Sequence, residues 1–442
     1  MSTPDYIVAP RWVIPVRPAG QVLENHAVVV TEGRIETILP VADAVAAHPE
    51  HELIERPEHA LLPGLINAHT HASMTLLRGI ADDLPLQVWL EEHIWPAEGA
   101  WVSPDFVRDG TRLAIAEMIR GGTTCFNDMY FFPDVIAETA AETGIRCSVG
   151  LIAIDIPTPW ASDIEEYLHK GLAVHDRFKG HPLITSVFAP HSPYMVSPEN
   201  LARIAVLTNE LDTKAHIHVA ETAGEVEQCQ EQHGKRPLDV VADANLLGAQ
   251  LLAVHLTQAT DEEIARLGEV QANVVHCPES NLKLASGHCP VSKLIGNGVN
   301  VALGTDGAAS NNDLDMIGEM RTAALREKGA TGDASALPAE TVLEMATING
   351  AIALGIAEET GSIEPGKAAD LICIDLSAAS CQPVYNPVSA IIYAASRDQV
   401  SDVWVAGQAL MTNRELQTLD EAGTIEQAVA WHARITDTQK EA

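Results

Sequence analysis

Leu61-Leu-Pro-Gly-Leu-Ile-Asn-Ala-His-Thr-His71 is an apolar run that ends in two histidines one residue apart. On a strand, side chains at i and i+2 leave the same face. His69 and His71 therefore emerge together from a strand end, where two imidazoles can grip one metal ion. The pair by itself is near chance. With 18 histidines in 442 residues, composition alone yields roughly 0.7 His-x-His pairs, and His216/His218 is a second one. The weight falls on the surrounding pattern.

Beyond this run, apolar strands alternate with amphipathic helices such as Asp109–Arg120 and Asp261–Leu267. That alternation is the signature of βα units and a parallel sheet. The strand candidates are Leu61–Ala68, Thr123–Asn127, Arg146–Ile152, Ile184–Ala189, Lys214–Val219, Leu251–His255, Ala272–His276 and Asn300–Gly304. Eight such units over about 250 residues predict an α/β fold, a (β/α)8 TIM barrel. Both termini read differently, as short strands and turns: Tyr6-Ile-Val-Ala, Ala27-Val-Val-Val-Thr and the Glu32-Gly33 turn at one end, Val400-Ser-Asp-Val-Trp-Val at the other. They predict a smaller β-sandwich domain drawn from residues 1–58 and 363–442, with the barrel over 59–362.

Composition bounds the function. Apolar residues make up 46% and charged residues 20%, as in ordinary globular proteins. No apolar run of about 20 residues predicts a membrane span, and the N-terminus lacks the basic and apolar segments of a secretory signal. Seven cysteines without a Cys-x-x-Cys fit reduced thiols in the cytoplasm. The net charge of −34 disfavours nucleic acid and anionic membranes as partners. A small neutral or zwitterionic substrate suits the chain better.

In TIM barrels the catalytic residues stand at the C-terminal ends of strands. Here those ends carry His69 and His71, His191, His218 followed by Glu221, His255, His276, and Thr305-Asp306. Metal-ligand residue types recur where a barrel would gather them.

These residues carry a resemblance. Pro63-Gly-Leu-Ile-Asn-Ala-His-Thr-His71, His216-Ile-His-Val-Ala-Glu-Thr222, His276-Cys-Pro-Glu-Ser-Asn281 and Gly304-Thr-Asp-Gly-Ala-Ala-Ser-Asn-Asn-Asp-Leu-Asp315 resemble the amidohydrolase superfamily, in its cytosine/adenine deaminase-like branch. Gly366-Lys-Ala-Ala-Asp-Leu is similar to that family's composite β-sandwich. Within the branch, Leu86-Gln-Val-Trp-Leu-Glu-Glu-His-Ile-Trp-Pro-Ala-Glu98 is most similar to the deaminases of 5′-methylthioadenosine and S-adenosylhomocysteine.

The resemblance implies a metal held by His69, His71, His218 and Asp306. Three imidazole nitrogens and a carboxylate suit Zn²⁺, and iron by the same ligand logic. Two-metal relatives use a carboxylated lysine around strand four. Ile184-Thr-Ser-Val-Phe-Ala has no lysine, so one metal is expected. The implied reaction is hydrolytic deamination at C6 of an adenine ring, releasing ammonia and the inosine analogue. Glu221 would carry the proton to the ring nitrogen, Asp306 would take the proton of the attacking water, and His255 would steady that water. Glu98 would accept from both ribose hydroxyls, His191 would bond the base or sugar, and Trp89 would cover the nucleoside.

Residues 72 to about 105 form the expected lid, in which Trp89 and Trp95 either meet substrate or pack on the barrel. His216 and His276 either orient the site or are hydrogen-bonded barrel histidines. His26, His48, His51, His59 and His432 read as surface histidines. Some relatives hold the amino-acid tail of S-adenosylhomocysteine with arginines after strand three. Ala153-Ile-Asp-Ile-Pro-Thr-Pro-Trp-Ala161 has none, which favours methylthioadenosine. Rival readings are deaminases or chlorohydrolases of guanine, adenosine or aminotriazines, and, more distantly, a non-catalytic scaffold. A homo-oligomer is implied by resemblance alone.

Overall fold

The computed structural model describes residues 4–441. The N-terminal strands are β1 (Tyr6–Val13), β2 (Leu23–Glu24), β3 (His26–Thr31), β4 (Arg34–Pro40) and β5 (Glu52–Pro63). The barrel strands follow: β6 (Leu65–Thr70), β7 (Thr123–Asp128), β8 (Arg146–Ala153), β9 (Ile184–Pro190), β10 (Ala215–Val219), β11 (Leu251–His255), β12 (Asn273–His276) and β13 (Asn300–Leu303). The C-terminal strands are β14 (Leu371–Asp375), β15 (Val400–Val405), β16 (Gln408–Thr412) and β17 (Glu415–Leu416).

Strands β6 to β13 pair in sequence order as an eight-stranded parallel sheet. Helices connect them, and the sheet curls into the barrel that the sequence predicts. At the seam between β6 and β13, the Thr305 N–H donates to Asn67 Oδ1 and the Asp306 N–H to the His69 carbonyl, each at 3.0 Å. Gly304 stands at this close approach: a Cβ there would lie 2.8 Å from the His69 nitrogen.

The expected first strand, Leu61–Ala68, is in fact two. β5 ends at Pro63 in the small sheet and β6 begins at Leu65 in the barrel. Gly64 is the joint. Its N–H donates to the Asp370 carbonyl at 3.0 Å, and a Cβ would stand 2.0 Å from Thr124 Oγ1. The apolar run continues across the joint because both pieces are buried, so hydrophobicity alone cannot mark the break.

The small domain draws on both ends of the chain as one mixed sheet, in the order β17-β16-β15-β14-β5-β1-β3-β4 with β2 on β1. Tyr6 on β1 and Trp404 on β15 are three strands apart, about 14 Å in a flat sheet. Their rings nevertheless stack at 5.9 Å. The sheet therefore folds over on itself and encloses a core of Val8, Val28, Leu61, Leu371 and Trp404. Buried Arg146 at the start of β8 ties the barrel to this sheet with two hydrogen bonds to Asp370, at 2.9 and 3.1 Å. The C-terminal helix Glu421–Glu441 returns to the helix Pro104–Arg120, where the Trp431 indole donates to Asp109 at 2.8 Å.

Candidate active site

The C-terminal strand ends converge. His69 and His71 on β6 and just beyond it, His218 on β10 and Asp306 after β13 offer ligand atoms that all lie within 4.8 Å of one another. His69 Nε2 and His71 Nε2 each stand 3.2 Å from Asp306 Oδ1, and His69 Nε2 stands 3.2 Å from His218 Nε2. Ligands at 2.0–2.2 Å from one tetrahedral centre lie about 3.3 Å apart. The spacing is that of a zinc site.

The surroundings fix each ligand. His218 donates Nδ1–H to the His191 carbonyl at 2.8 Å, and His71 donates its Nδ1–H to the Met129 carbonyl. Each bond leaves the Nε2 lone pair facing the centre. His69 Nδ1 meets His216 Nε2 at 2.9 Å, and the Asn127 amide lies 3.2 Å beyond on the far side of His216. His216 thus stands behind a ligand rather than among the ligands. Asp306 Oδ2 accepts from Ser280 Oγ at 2.6 Å and Ser310 Oγ at 2.8 Å, which turns Oδ1 inward.

Charge follows the same plan. Burial pushes His69 down to about 4 and His218 well below its usual value, so both are neutral donors. Burial by itself would raise Asp306, but hydrogen bonds from His69 and His71 hold it well below the usual carboxylate range. Burial lowers His71 too, yet Asp306 outweighs it and lifts His71 to about 9. Without a metal, a proton held between His71 and Asp306 stands where the ligand atoms converge. β9 carries no lysine, so the donor set holds a single metal.

The remaining predicted residues line one cavity of about 290 Å³ above the cluster, with Trp89, Glu98, His191, Glu221 and His255 around it. His255 donates Nδ1–H to Asn281 Oδ1 at 2.9 Å, and its Nε2 lies 3.8 Å from Glu221 Oε2. Burial raises the Glu221 carboxyl above its usual range. Ser286 Oγ donates to Glu221 Oε1 at 3.4 Å, and Thr257 Oγ1 donates to its main-chain carbonyl at 2.6 Å. At this face Ala220 (φ 51°), His255 (φ 74°), Leu256 (φ 46°) and Asp306 (φ 62°) hold left-handed backbone without being glycine. Such strain collects where side-chain aim matters.

The lid is helical from Leu86 to Trp101, with a π-helical turn at Trp89–Ile94. Trp89 is buried and Trp95 half out of the protein. Glu98 on this lid accepts from the Tyr130 hydroxyl at 2.7 Å, and burial raises its carboxyl to about 7. His276 is buried at the end of β12, outside the ligand set. His48 and His51 gather with Glu36 on the small sheet, where Thr31 Oγ1 bridges Glu36 and His51. Sequence reading did not single out Tyr130, Ser280, Asn281, Ser310 or Glu225. Ser280 and Ser310 lie inside motifs already noted, four residues or fewer from a strand-end ligand type. Tyr130 and Glu225 carry no such signal.

Beyond geometry, residues 60–410 match the model of the amidohydrolase family. The chain belongs to the amidohydrolase family. This amidohydrolase is 47% identical over 434 residues to the 5-methylthioadenosine/S-adenosylhomocysteine deaminase of Teredinibacter turnerae, covering 98% of each chain. It is 49% identical over 431 residues to the protein of the same name from Saccharophagus degradans, covering 98% of this chain and 97% of the relative. Among solved structures it resembles a zinc-bound adenosine deaminase from Xanthomonas campestris, with 50% identity, a TM-score of 0.96, and coverage of 98% and 99%.

Proposed function

We propose that this amidohydrolase is a zinc-dependent hydrolytic deaminase acting at C6 of the adenine ring of 5′-methylthioadenosine, with S-adenosylhomocysteine and related adenosines as weaker substrates. One observation carries the reading: Glu221, a carboxyl whose proton affinity burial raises, shares a cavity with His71, His218 and Asp306 of the ligand cluster and with Glu98. The deaminase names of full-length relatives support it.

Zinc at this site would supply Lewis acidity and a water that ionises near neutral pH. The protein's part is to place protons and substrate. Glu221, whose proton affinity burial raises, delivers a proton to the ring nitrogen beside C6 as charge builds there. His255, steadied by Asn281, orients the attacking water. Asp306, pinned by two serine hydroxyls, takes the proton that the water gives up. The C6–O bond forms, Asp306 passes its proton to the exocyclic amine, the C6–N bond breaks to release ammonia, and the remaining hydroxyl proton restores Glu221 as the ring keeps oxygen at C6.

Glu98 supports a ribosyl substrate, since a carboxylate can accept from neighbouring hydroxyls. His191 lies across the cavity as a partner for base or sugar. Trp89 lines the cavity, and its buried indole N–H meets no acceptor among the described residues. The far end is apolar: Phe131, Ile152, Ile154, Ile156, Pro157 and Met195. Among the described residues, no lysine or arginine lines the cavity. A thiomethyl group fits this end, whereas the charged tail of S-adenosylhomocysteine would lose solvation without a counter-ion. Seven free, buried cysteines support a reducing cytoplasm as its compartment. Among the described residues no helix is long and apolar enough to cross a membrane. Assembly into a homo-oligomer is part of the same proposal.

The test is ammonia release by zinc-loaded enzyme from methylthioadenosine, S-adenosylhomocysteine, adenosine, guanine and aminotriazines. The highest kcat/KM is expected for methylthioadenosine. A clear preference for S-adenosylhomocysteine, or release from a triazine or guanine alone, would overturn the reading.

A further inference from the structure

The cavity contains one contact that the chemistry above does not use. Tyr130 stands two residues past the end of β7, on the rigid rim of the barrel, and is buried. Its ring lies 5.2 Å from that of Phe131 and 6.5 Å from that of the ligand His71. Across the cavity, the lid helix Trp95–Trp101 carries Glu98. The Tyr130 hydroxyl donates to Glu98 Oε1 at 2.7 Å, and both residues line the cavity.

We infer that Tyr130 is a positioning residue for sugar recognition: its phenol fixes one oxygen of Glu98 so that the other faces the ribose hydroxyls. The inference rests on the reading of Glu98 as the ribose acceptor. A glutamate on a lid has several free torsions, and ordering it costs entropy at each binding event. A donor fixed to the barrel rim removes part of that cost beforehand. Burial lifts the Glu98 carboxyl to about 7, and the Tyr130 bond favours its ionised form against that burial. The stoichiometry of lone pairs agrees. An ionised carboxylate has about four acceptor sites, of which the phenol occupies one. No lysine or arginine pairs with Glu98 among the described residues, so nothing stronger competes with the phenol for it. Burial raises the Tyr130 hydroxyl well above its usual value, so it stays a donor across the working pH range. The same bond also docks the lid helix onto the barrel.

The experiment measures kcat/KM for methylthioadenosine and for its 2′-deoxy and 3′-deoxy analogues. It uses zinc-loaded wild type, Tyr130→Phe, Glu98→Gln and the double variant, with zinc content determined for each. Tyr130→Phe keeps the ring and removes only the donor. The ribo-over-deoxy ratio is expected to shrink about three- to tenfold in Tyr130→Phe, the size of one ordinary hydrogen bond. It should shrink further in Glu98→Gln, and the double variant should match Glu98→Gln, because one residue acts through the other. An unchanged ratio in Tyr130→Phe overturns the inference while leaving Glu98 as ribose acceptor. So does an equal loss on all substrates, or full additivity in the double variant. If Glu98→Gln leaves the ratio intact, the ribose reading of Glu98 fails and the inference falls with it.

Discussion

The carboxylate of Glu225 holds the main chain of Glu221. Its Oε2 accepts from the Glu221 N–H at 2.5 Å, and its Oε1 from the neighbouring Ala220 N–H at 3.0 Å. Ala220 is in the left-handed region, so this clamp stabilises the turn that aims Glu221 into the cavity. Glu225 sits in the first turn of the helix Ala223–His233, whose N-cap Thr222 accepts from the Glu225 N–H. Glu225→Gln keeps one acceptor and sets an NH₂ group against a main-chain donor. The expected outcome is a fall in kcat of about tenfold, with KM and zinc content little changed. Unaltered kcat would show that the turn holds without the clamp.

Burial raises the Glu225 carboxyl from its ordinary 4.5 to about 8, while the two main-chain N–H donors favour its ionised form, so the clamp closes fully only as this proton leaves. The folded state therefore binds this proton more tightly than the unfolded chain. Its contribution to stability is complete below pH 4.5 and is lost as pH rises toward 8. In urea titrations, the fall of the unfolding midpoint between pH 5 and 8 should be smaller in Glu225→Gln than in wild type. An identical slope in both would argue against this carboxyl as its source.

Glu221→Gln should retain the zinc, because none of the ligand-fixing bonds involves the Glu221 side chain. Turnover of methylthioadenosine should drop about 10²–10⁴-fold, the usual worth of a general acid–base group. Metal analysis beside steady-state rates checks both halves. Loss of zinc, or retention of full rate, would remove Glu221 from its assigned role.

Arg146 and Asp370 are both buried, and Asp370 Oδ1 also accepts from the Ala406 N–H at 2.7 Å. Arg146→Met would leave Asp370 charged and unpaired at the junction of barrel and small sheet. The expected loss is about 3–5 kcal/mol of unfolding free energy. Adding Asp370→Asn should restore part of it. Denaturant midpoints of the single and double variants decide the matter.

How far the sequence alone reaches can be judged from particular residues. His69, His71, His218 and Asp306 were legible because a barrel puts strand ends in one place, and each follows an apolar run. Seven of the expected strands start and stop within a residue or two of the observed ones. The exception, at Gly64, was hidden because burial on both sides erases the polar punctuation that marks a turn. Tyr130 and Glu225 were illegible for another reason. Tyr130 meets Glu98 on a lid whose path local pattern does not specify, and the bonds of Glu225 to Glu221 and Ala220 depend on the left-handed turn at Ala220, which no apolar pattern marks. The histidines at 48 and 51 read as isolated surface groups, and the short helix Val41–Ala47 turns the chain back so that they meet Glu36.

β5 pairs parallel with β1 on one side and antiparallel with β14 on the other. Some three hundred residues separate Pro63 from Leu371, and at 5–20 residues per second their synthesis takes about 15–60 s. During that interval the nascent chain carries a twelve-residue strand with an unpaired edge. Such an edge is a template for pairing with other chains. The stretch that waits for β14 is His59–Pro63, and the charged residues just before it, Glu52, Glu55, Arg56 and Glu58, discourage pairing with other chains. The small sheet, unlike the barrel, thus waits on the chain's last strands, and chaperone demand should fall chiefly on this early segment.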